Sequence, residues 1–474
     1  MPQDAHLTFC GGVGSVTGAN FLLEAAGKKI LVDCGLIQGS RFADEENHKE
    51  FPYDPASIDF LLVTHAHIDH IGRIPKLVAS GFRGKILSTP ETHVLARLMF
   101  EDALKLIEEE CRTTGTLPLY EHRDVSTTLS LWADMAYHKS FSLTPDLTVY
   151  PKDAGHILGS AMYEITFPTA SGSPRKIVFT GDLGNSPTPI LRDTEEITDA
   201  DYLVMESVYG DRNHEDRDSR RLHLKDVITE TVLRKGTLII PTFSIEKTQV
   251  LLYELHKLEE AHEIPIVPVF LDSPLAIEVT KIYQAERNNF NDKARAEDAR
   301  EDIFRFPRLK FTPHSEESKA ILHVPAPKII LAGSGMSNGG RIVHHEANYL
   351  QGSQNAILFV GYQAAGSLGR QIQDGVKEVN INGQKVSVRA HVEIISGYSS
   401  HKDSDHLIEF ASRAALGVNP DASEGRGADR KRRLKVFVVM GEPKSALFLV
   451  QRLRDYVGIN ATHPKLGERV ALDV

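Results

Sequence analysis

The chain has 474 residues, 41% of them hydrophobic, with 64 acidic against 54 basic side chains and a formal net charge of −10. That length predicts two domains around sizeable cores, and the acidic balance excludes a protein that coats nucleic acid non-specifically, though not one with a local basic channel. No basic leader precedes an apolar stretch at the N-terminus, and no apolar run is long enough to span a bilayer, so neither a signal peptide nor a membrane-spanning helix is predicted.

Short apolar runs at 6–9, 19–23 and 29–33 predict strands, and the glycines at 11, 12, 14 and 18 mark the first connection as a tight turn. Their spacing fits neither the dinucleotide nor the Walker pattern, so a turn is preferred to a phosphate loop. The run Phe60-Leu61-Leu62-Val63-Thr64 predicts a buried strand, and residues 71–78 can start a helix. Between them lies His65-Ala66-His67-Ile68-Asp69-His70. Three imidazoles and a carboxylate so close together are metal-ligand chemistry, held on a strand-to-helix loop and suited to Zn²⁺ or a similar borderline ion.

Residues 91–111 have helical spacing, with Glu108, Glu109 and Glu110 on a solvated face. Strands are predicted at 176–180 and 202–205. Two further candidate ligands stand near such runs: His156 in Gly155-His156-Ile157-Leu158-Gly159-Ser160, and Asp182 in Thr180-Gly181-Asp182-Leu183-Gly184. After about Tyr209 the texture changes. Unbroken apolar strands at 238–241, 266–270 and 328–331 alternate with helices at about 219–234, 244–262 and 273–286, predicting a doubly wound α/β domain over 210–392. A strand at 392–395, another at 436–439 and a helix from about 444 to 457 return to the earlier style. They complete a first domain made of residues 1–209 and 393–474, which makes the second an insertion. The basic stretch 424–433 is read as a surface loop. Cys10, Cys34 and Cys111 are widely separated and odd in number, and are read as free thiols of a reducing, cytoplasmic compartment.

Asp33 in Val32-Asp33-Cys34-Gly35, the 65–70 cluster, His156 and Asp182 resemble the successive metal motifs of the metallo-β-lactamase fold. The resemblance implies an αββα sandwich in the α/β class. It assigns His65, His67 and His156 to one metal, Asp69 and His70 to a second, and Asp182 to a bridge between them. It makes Asp33 an orienting group that fixes an imidazole tautomer. The stretches 205–210, 240–249, 333–341, 361–370 and 397–403 resemble the motifs of an inserted β-CASP domain, so the likeness covers nearly the whole chain.

Together these motifs imply a β-CASP nuclease, the group containing ribonuclease J and the endonuclease subunit of the pre-mRNA cleavage complex. The implied activity is zinc-dependent hydrolysis of single-stranded RNA by a metal-bridged hydroxide, with two ions about 3.5–4 Å apart. His401 is then the general acid for the departing oxygen, and Glu206 holds and polarises its ring. One departure stands out. Val438-Val439-Met440-Gly441-Glu442 carries methionine where many β-CASP nucleases place a histidine ligand. A thioether is a poor zinc ligand, so the second of two zinc ions is expected to be looser and more exchangeable. Lys247, Arg341, Arg370 and Ser400 are candidate substrate contacts, whereas His344, His345 and His391 match no ligand position. No separate RNA-binding module is visible, so the RNA partner would be gripped in the cleft between the domains. A DNA-directed β-CASP nuclease or a small-molecule hydrolase on the same fold are the alternatives, and a scaffold without activity is disfavoured because all six ligands are present. Cutting mode and homo-oligomerisation are left open by the sequence.

Overall fold

The computed structural model describes residues 5–39, 43–169, 172–214, 217–364, 366–416 and 433–472. The basic stretch read at 424–433 therefore lies outside the described residues, apart from Arg433. Among the described residues the strands form two seven-stranded sheets, a six-stranded sheet and a two-stranded hairpin.

The first sheet runs in spatial order through Arg469–Ala471, His6–Gly11, Asn20–Ala25, Lys28–Val32, Phe60–Leu62, Lys85–Ser88 and Trp132–Asp134. The second runs through Asn460–Thr462, Lys435–Val438, Tyr202–Met205, Arg175–Phe179, Ala161–Phe167, Leu147–Asp153 and Phe141–Thr144. Alternate side chains point to opposite faces of a strand, so Leu7, Phe9, Phe21 and Ile30 of the first sheet meet Tyr163, Ile165, Phe179 and Val204 of the second in one buried cluster. Helices close the outer faces. Pro90–Thr114 covers the first sheet, burying Leu95 and Phe100 with Leu61 and Ile86. Its ends follow local chemistry: Thr89 accepts a capping hydrogen bond from the Thr92 amide, and Gly115 ends it in the left-handed region at φ 76°. Ser404–Ala414 and Pro443–Arg452 cover the second sheet, burying Leu407, Phe410 and Leu449 against Val178, Leu203 and Val436. The result is the αββα sandwich.

The six-stranded sheet is parallel throughout, in the order Leu309–Phe311, Val269–Asp272, Lys328–Ala332, Thr237–Pro241, Ala356–Phe359, His391–Ile394. Its central strands read as continuous apolar runs because both faces are covered. Leu238, Ile240, Leu271 and Leu331 pack with helices Lys247–Glu260 and Pro274–Ala285; Ile239, Phe270, Ile330 and Ile357 pack with Ile342, Leu350 and Ile372 on the other side.

One expectation changes here. The strand read at 392–395 as part of the returning sandwich is His391–Ile394, which pairs in parallel with Ala356–Phe359 at the rim of the inserted sheet. A rim strand is covered on one side only, and its half-exposed residues do not show the unbroken apolar pattern of the interior strands. The passage back to the sandwich is therefore the stretch after Ile394. No helix among the described residues is long and apolar enough to cross a membrane.

Candidate active site

The ligand loop hangs from the carboxyl end of Phe60–Leu62, a strand held in parallel between Lys28–Val32 and Lys85–Ser88. Such ends open onto the crevice where α/β folds place their chemistry. The amides of Cys34 and Leu36 donate to the carbonyls of His70 (2.8 Å) and Ile68 (3.0 Å), pinning the loop to the neighbouring strand. The approach is so close that a Cβ on Gly35 would fall 1.4 Å from the Asp69 carbonyl oxygen, so only glycine fits. His156 lies on the turn between Leu147–Asp153 and Ala161–Phe167, and Asp182 stands just past Arg175–Phe179.

These side chains converge. The ligating atoms of His65, His67, His156 and Asp182 all lie within 4.8 Å of one another. His65 Nε2 is 3.1 Å from His67 Nδ1, and His156 Nε2 is 3.2 Å from the same atom. Asp182 Oδ2 stands 3.5 Å from both His65 Nε2 and His156 Nε2, while its Oδ1 faces His70 Nε2 at 3.4 Å. Behind the ligands, Asp33 accepts from the Thr64 amide and hydroxyl, each at 2.8 Å, and meets His70 Nδ1 at 2.7 Å. With Nδ1 donating to Asp33, His70 presents Nε2 as its lone-pair atom.

The donor set fits divalent metal. His70 Nε2 and Asp182 Oδ1 are buried and lack any hydrogen-bond partner, although they face each other, which is an arrangement a cation would satisfy. Burial, reinforced by His65 for the first and His401 for the second, holds the His67 and His156 pKa values well below the ordinary imidazole range, so both rings stay in their ligating form. Burial likewise raises the Asp69 carboxyl, with His70 opposing it and Asp182 adding to it. For Asp182, burial is outweighed by His70 and by the hydrogen bond from His65, leaving the carboxyl well below its usual range. The Met440 side chain is buried in the sandwich core, against the turn at Gly12.

Beside the cluster stands a second constellation. Glu206, at the end of Tyr202–Met205, is buried; its Oε1 accepts from the Leu183 amide at 2.7 Å and meets His401 Nδ1 at 3.2 Å. His401 Nδ1 is also 3.9 Å from Asp182 Oδ2, and its ring lies 4.7 Å from that of His156. Burial disfavours the imidazolium, but Glu206 and then Asp182 outweigh it and raise the His401 pKa above its ordinary value.

The expected substrate contacts fare differently. Ser400 stands beside His401, and its carbonyl lies 3.1 Å from His156 Nδ1. Lys247 is buried; its ammonium donates to the Tyr398 carbonyl and lies 3.5 Å from Ser400 Oγ. Burial lowers its pKa to about 7, with Glu246 opposing and Arg220 adding to the effect. Arg341 is turned inward, donating to Asp272 Oδ1 (2.7 Å), the Pro313 carbonyl (3.0 Å) and the Thr312 carbonyl. In both residues the cationic donors meet internal oxygens. Arg370 pairs with Asp374 one helical turn on, at 3.0 Å. His345, read as structural, donates to Asp272 at 2.7 Å. Three residues escaped the sequence reading: Arg220, Asn185 and His214, all of which bond the backbone around His401. Asn185 follows the Asp182 motif and offered a positional hint. The other two are brought in by tertiary structure alone.

Comparison with known proteins agrees with this architecture. Residues 22–195 match the family model of a metallo-beta-lactamase superfamily domain, and residues 248–372 match that of a Beta-Casp domain. A ribonuclease of Thermus thermophilus is 37% identical over 84% of this chain and 89% of its own length. Transcription termination factor FttA of Methanosarcina mazei is 31% identical over 87% of this chain and 65% of that protein; its Pyrococcus horikoshii counterpart is 29% identical over 98% and 71%. A crystal structure of a protein of unknown function from Enterococcus faecalis superposes with a TM-score of 0.54 at 10% identity, covering 99% of this chain and all of the other, a likeness of fold alone. The sandwich, the inserted parallel sheet and these relatives place the chain in the metallo-β-lactamase superfamily, in its β-CASP family of metal-dependent nucleases.

Proposed function

We propose that this protein is a zinc-dependent ribonuclease that hydrolyses phosphodiester bonds of single-stranded RNA lying between the sandwich and the inserted domain. The observation that carries the reading is the adjacency of two groups: a buried His/Asp ligand cluster, and a Glu206–His401 pair whose ring nitrogen stands 3.9 Å from the carboxylate of Asp182. The similarity to a ribonuclease supports RNA as the substrate.

His65, His67 and His156 would hold one zinc, Asp69 and His70 a second, with Asp182 serving both. A bound pair of zinc ions supplies a nucleophilic water at neutral pH and neutralises charge on the phosphoryl oxygens. Asp33 keeps the His70 lone pair pointed at the centre by accepting the hydrogen of Nδ1. Glu206 accepts the Nδ1 hydrogen of His401, which leaves Nε2 to carry the proton that the departing oxygen needs. Glu206, and after it Asp182, outweigh burial and raise the His401 pKa, which favours the protonated ring. The buried walls of the cluster exclude bulk water, which strengthens every charge interaction inside.

The test uses zinc-loaded protein and 5′-labelled single-stranded RNA beside DNA of matched sequence. The expected result is cleavage of RNA, abolished in Asp69→Ala, with matched DNA left largely intact; label position in the products tells internal cutting from end digestion. Preferential cleavage of the DNA, or full activity in Asp69→Ala, would refute the proposal.

A further inference from the structure

The stretch 397–401 carries the proposed proton donor, and the carbonyl of each of its residues meets a donor from elsewhere in the fold. Arg220 Nη1 donates to Gly397 O at 2.7 Å, and its guanidinium lies 4.9 Å from the centre of the Tyr398 ring. The Lys247 ammonium donates to Tyr398 O. Asn185 Nδ2 donates to Ser399 O at 3.1 Å, and the Asn185 amide donates to Ser400 O at 3.0 Å. His156 Nδ1 meets the same Ser400 oxygen at 3.1 Å; a carbonyl only accepts, so the ring hydrogen sits on Nδ1 and the lone pair on Nε2. His214 Nε2 meets His401 O at 2.9 Å.

The donors come from both halves of the molecule. Asn185 and His156 belong to the sandwich. Arg220 and Lys247 lie on helices Arg217–Leu233 and Lys247–Glu260, which pack against the inserted sheet. Both cations are buried. A buried ammonium or guanidinium is costly unless strong acceptors surround it, and here carbonyls of this one loop serve as acceptors, with Glu254 also 3.8 Å from Arg220 Nη2.

We propose that Lys247 and Arg220 are positioning residues for the proton donor, holding the carbonyls of Tyr398 and Gly397 so that the ring of His401 stays on Glu206 while Asn185 holds the same loop from the sandwich side. The inference rests on the proposed ribonuclease reading and its acid, and gives the inserted domain a part in the chemistry besides covering the cleft. It differs from a phosphate-gripping role for Lys247 in what its loss does: misplacing an acid slows turnover, whereas losing a phosphate contact weakens substrate binding.

The experiment compares wild type, Lys247→Met, Lys247→Arg, Asn185→Ala and His401→Ala, all zinc-loaded, on an RNA oligomer and on bis(4-nitrophenyl) phosphate, whose leaving group needs no proton. Lys247→Met is expected to lower kcat on RNA by roughly 10- to 100-fold with KM unchanged, to leave turnover of the nitrophenyl ester unchanged, and thus to follow the pattern of His401→Ala. Lys247→Arg should recover part of the RNA turnover, and Asn185→Ala should repeat the selective loss from the sandwich side. A thermal melt of each variant checks that the fold survives; if Lys247→Met fails to fold, Asn185→Ala decides. A raised KM with kcat intact, or equal losses on both substrates in Lys247→Met and Asn185→Ala, would overturn the proposal. Equal losses in His401→Ala would instead overturn the acid assignment beneath it, and wild type that leaves RNA uncut would overturn the ribonuclease reading itself.

Discussion

Asp33 occupies the left-handed region at φ 58° and directs one carboxylate at three hydrogens: the amide and hydroxyl of Thr64 and Nδ1 of His70. An amide in its place would set its own hydrogens against a donor that is already there. Asp33→Asn is therefore expected to weaken metal binding about 10- to 100-fold with the fold retained. Competition between protein and a chromogenic chelator for zinc measures this, and unchanged affinity would contradict it. Residues of this kind differ in how far sequence exposes them. His65, His67, Asp69 and His70 announce themselves because few other reasons crowd imidazoles into one loop. Lys247 and Arg341 do not, since a cation has the same sequence signature whether its head meets a phosphate or an internal oxygen.

At the level of elements, the carboxyl end of Val269–Asp272 is fastened by a buried network. Asp272 accepts from Thr312 Oγ1 (2.8 Å), Ser318 Oγ (2.6 Å), Arg341 Nη1 (2.7 Å) and His345 Nε2 (2.7 Å). Burial alone would raise its pKa, but His345 and the other donors lower it from 3.8 to about 2. A carboxyl depressed in the folded state adds stability above its unfolded pKa and loses it as pH falls through the folded one. Asp272→Asn should thus be less stable than wild type by on the order of 2 kcal/mol near neutrality, with the gap closing between about pH 4 and pH 2. Urea denaturation of both proteins at pH 7 and pH 3 tests it; a gap independent of pH would refute it. The same sheet shows why one strand was misassigned. Thr237–Pro241 and Lys328–Ala332 are buried throughout and apolar after their first residues because neighbours cover them on all sides, and they are legible as interior strands. His391–Ile394 sits at the rim, where its pairing depends on a partner more than thirty residues earlier that no local pattern reveals.

Across the whole molecule the sandwich and the inserted domain share a continuous apolar core, since one cluster runs from Leu61 and Ile86 to Leu238 and Leu271. They also meet directly where the Tyr362 hydroxyl donates to Glu442. The candidate metal cluster includes the buried His70 and Asp182 atoms that lack partners. Ligand that binds only the folded state stabilises it by about 2.7 kcal/mol at a hundred times its dissociation constant. Calorimetry is accordingly expected to show a higher Tm with zinc than after chelator treatment, in one concerted transition, because the shared core couples the two halves. A Tm indifferent to zinc would count against metal binding by these residues. The insertion was legible from the alternation of apolar runs and the sandwich from the resemblance of the metal motifs, whereas the grip of both halves on one loop was not, since it depends on contacts between segments distant in sequence.

That grip has a pharmacological reading. A compound wedged between the halves, near Tyr362 and Glu442, need not chelate anything to be an inhibitor: prising them apart by the length of one hydrogen bond would draw Gly397 and Tyr398 away with Arg220 and Lys247, and the imidazole three residues beyond would follow. Selectivity over other metal-dependent hydrolases would then come from the seam, which a bare sandwich lacks.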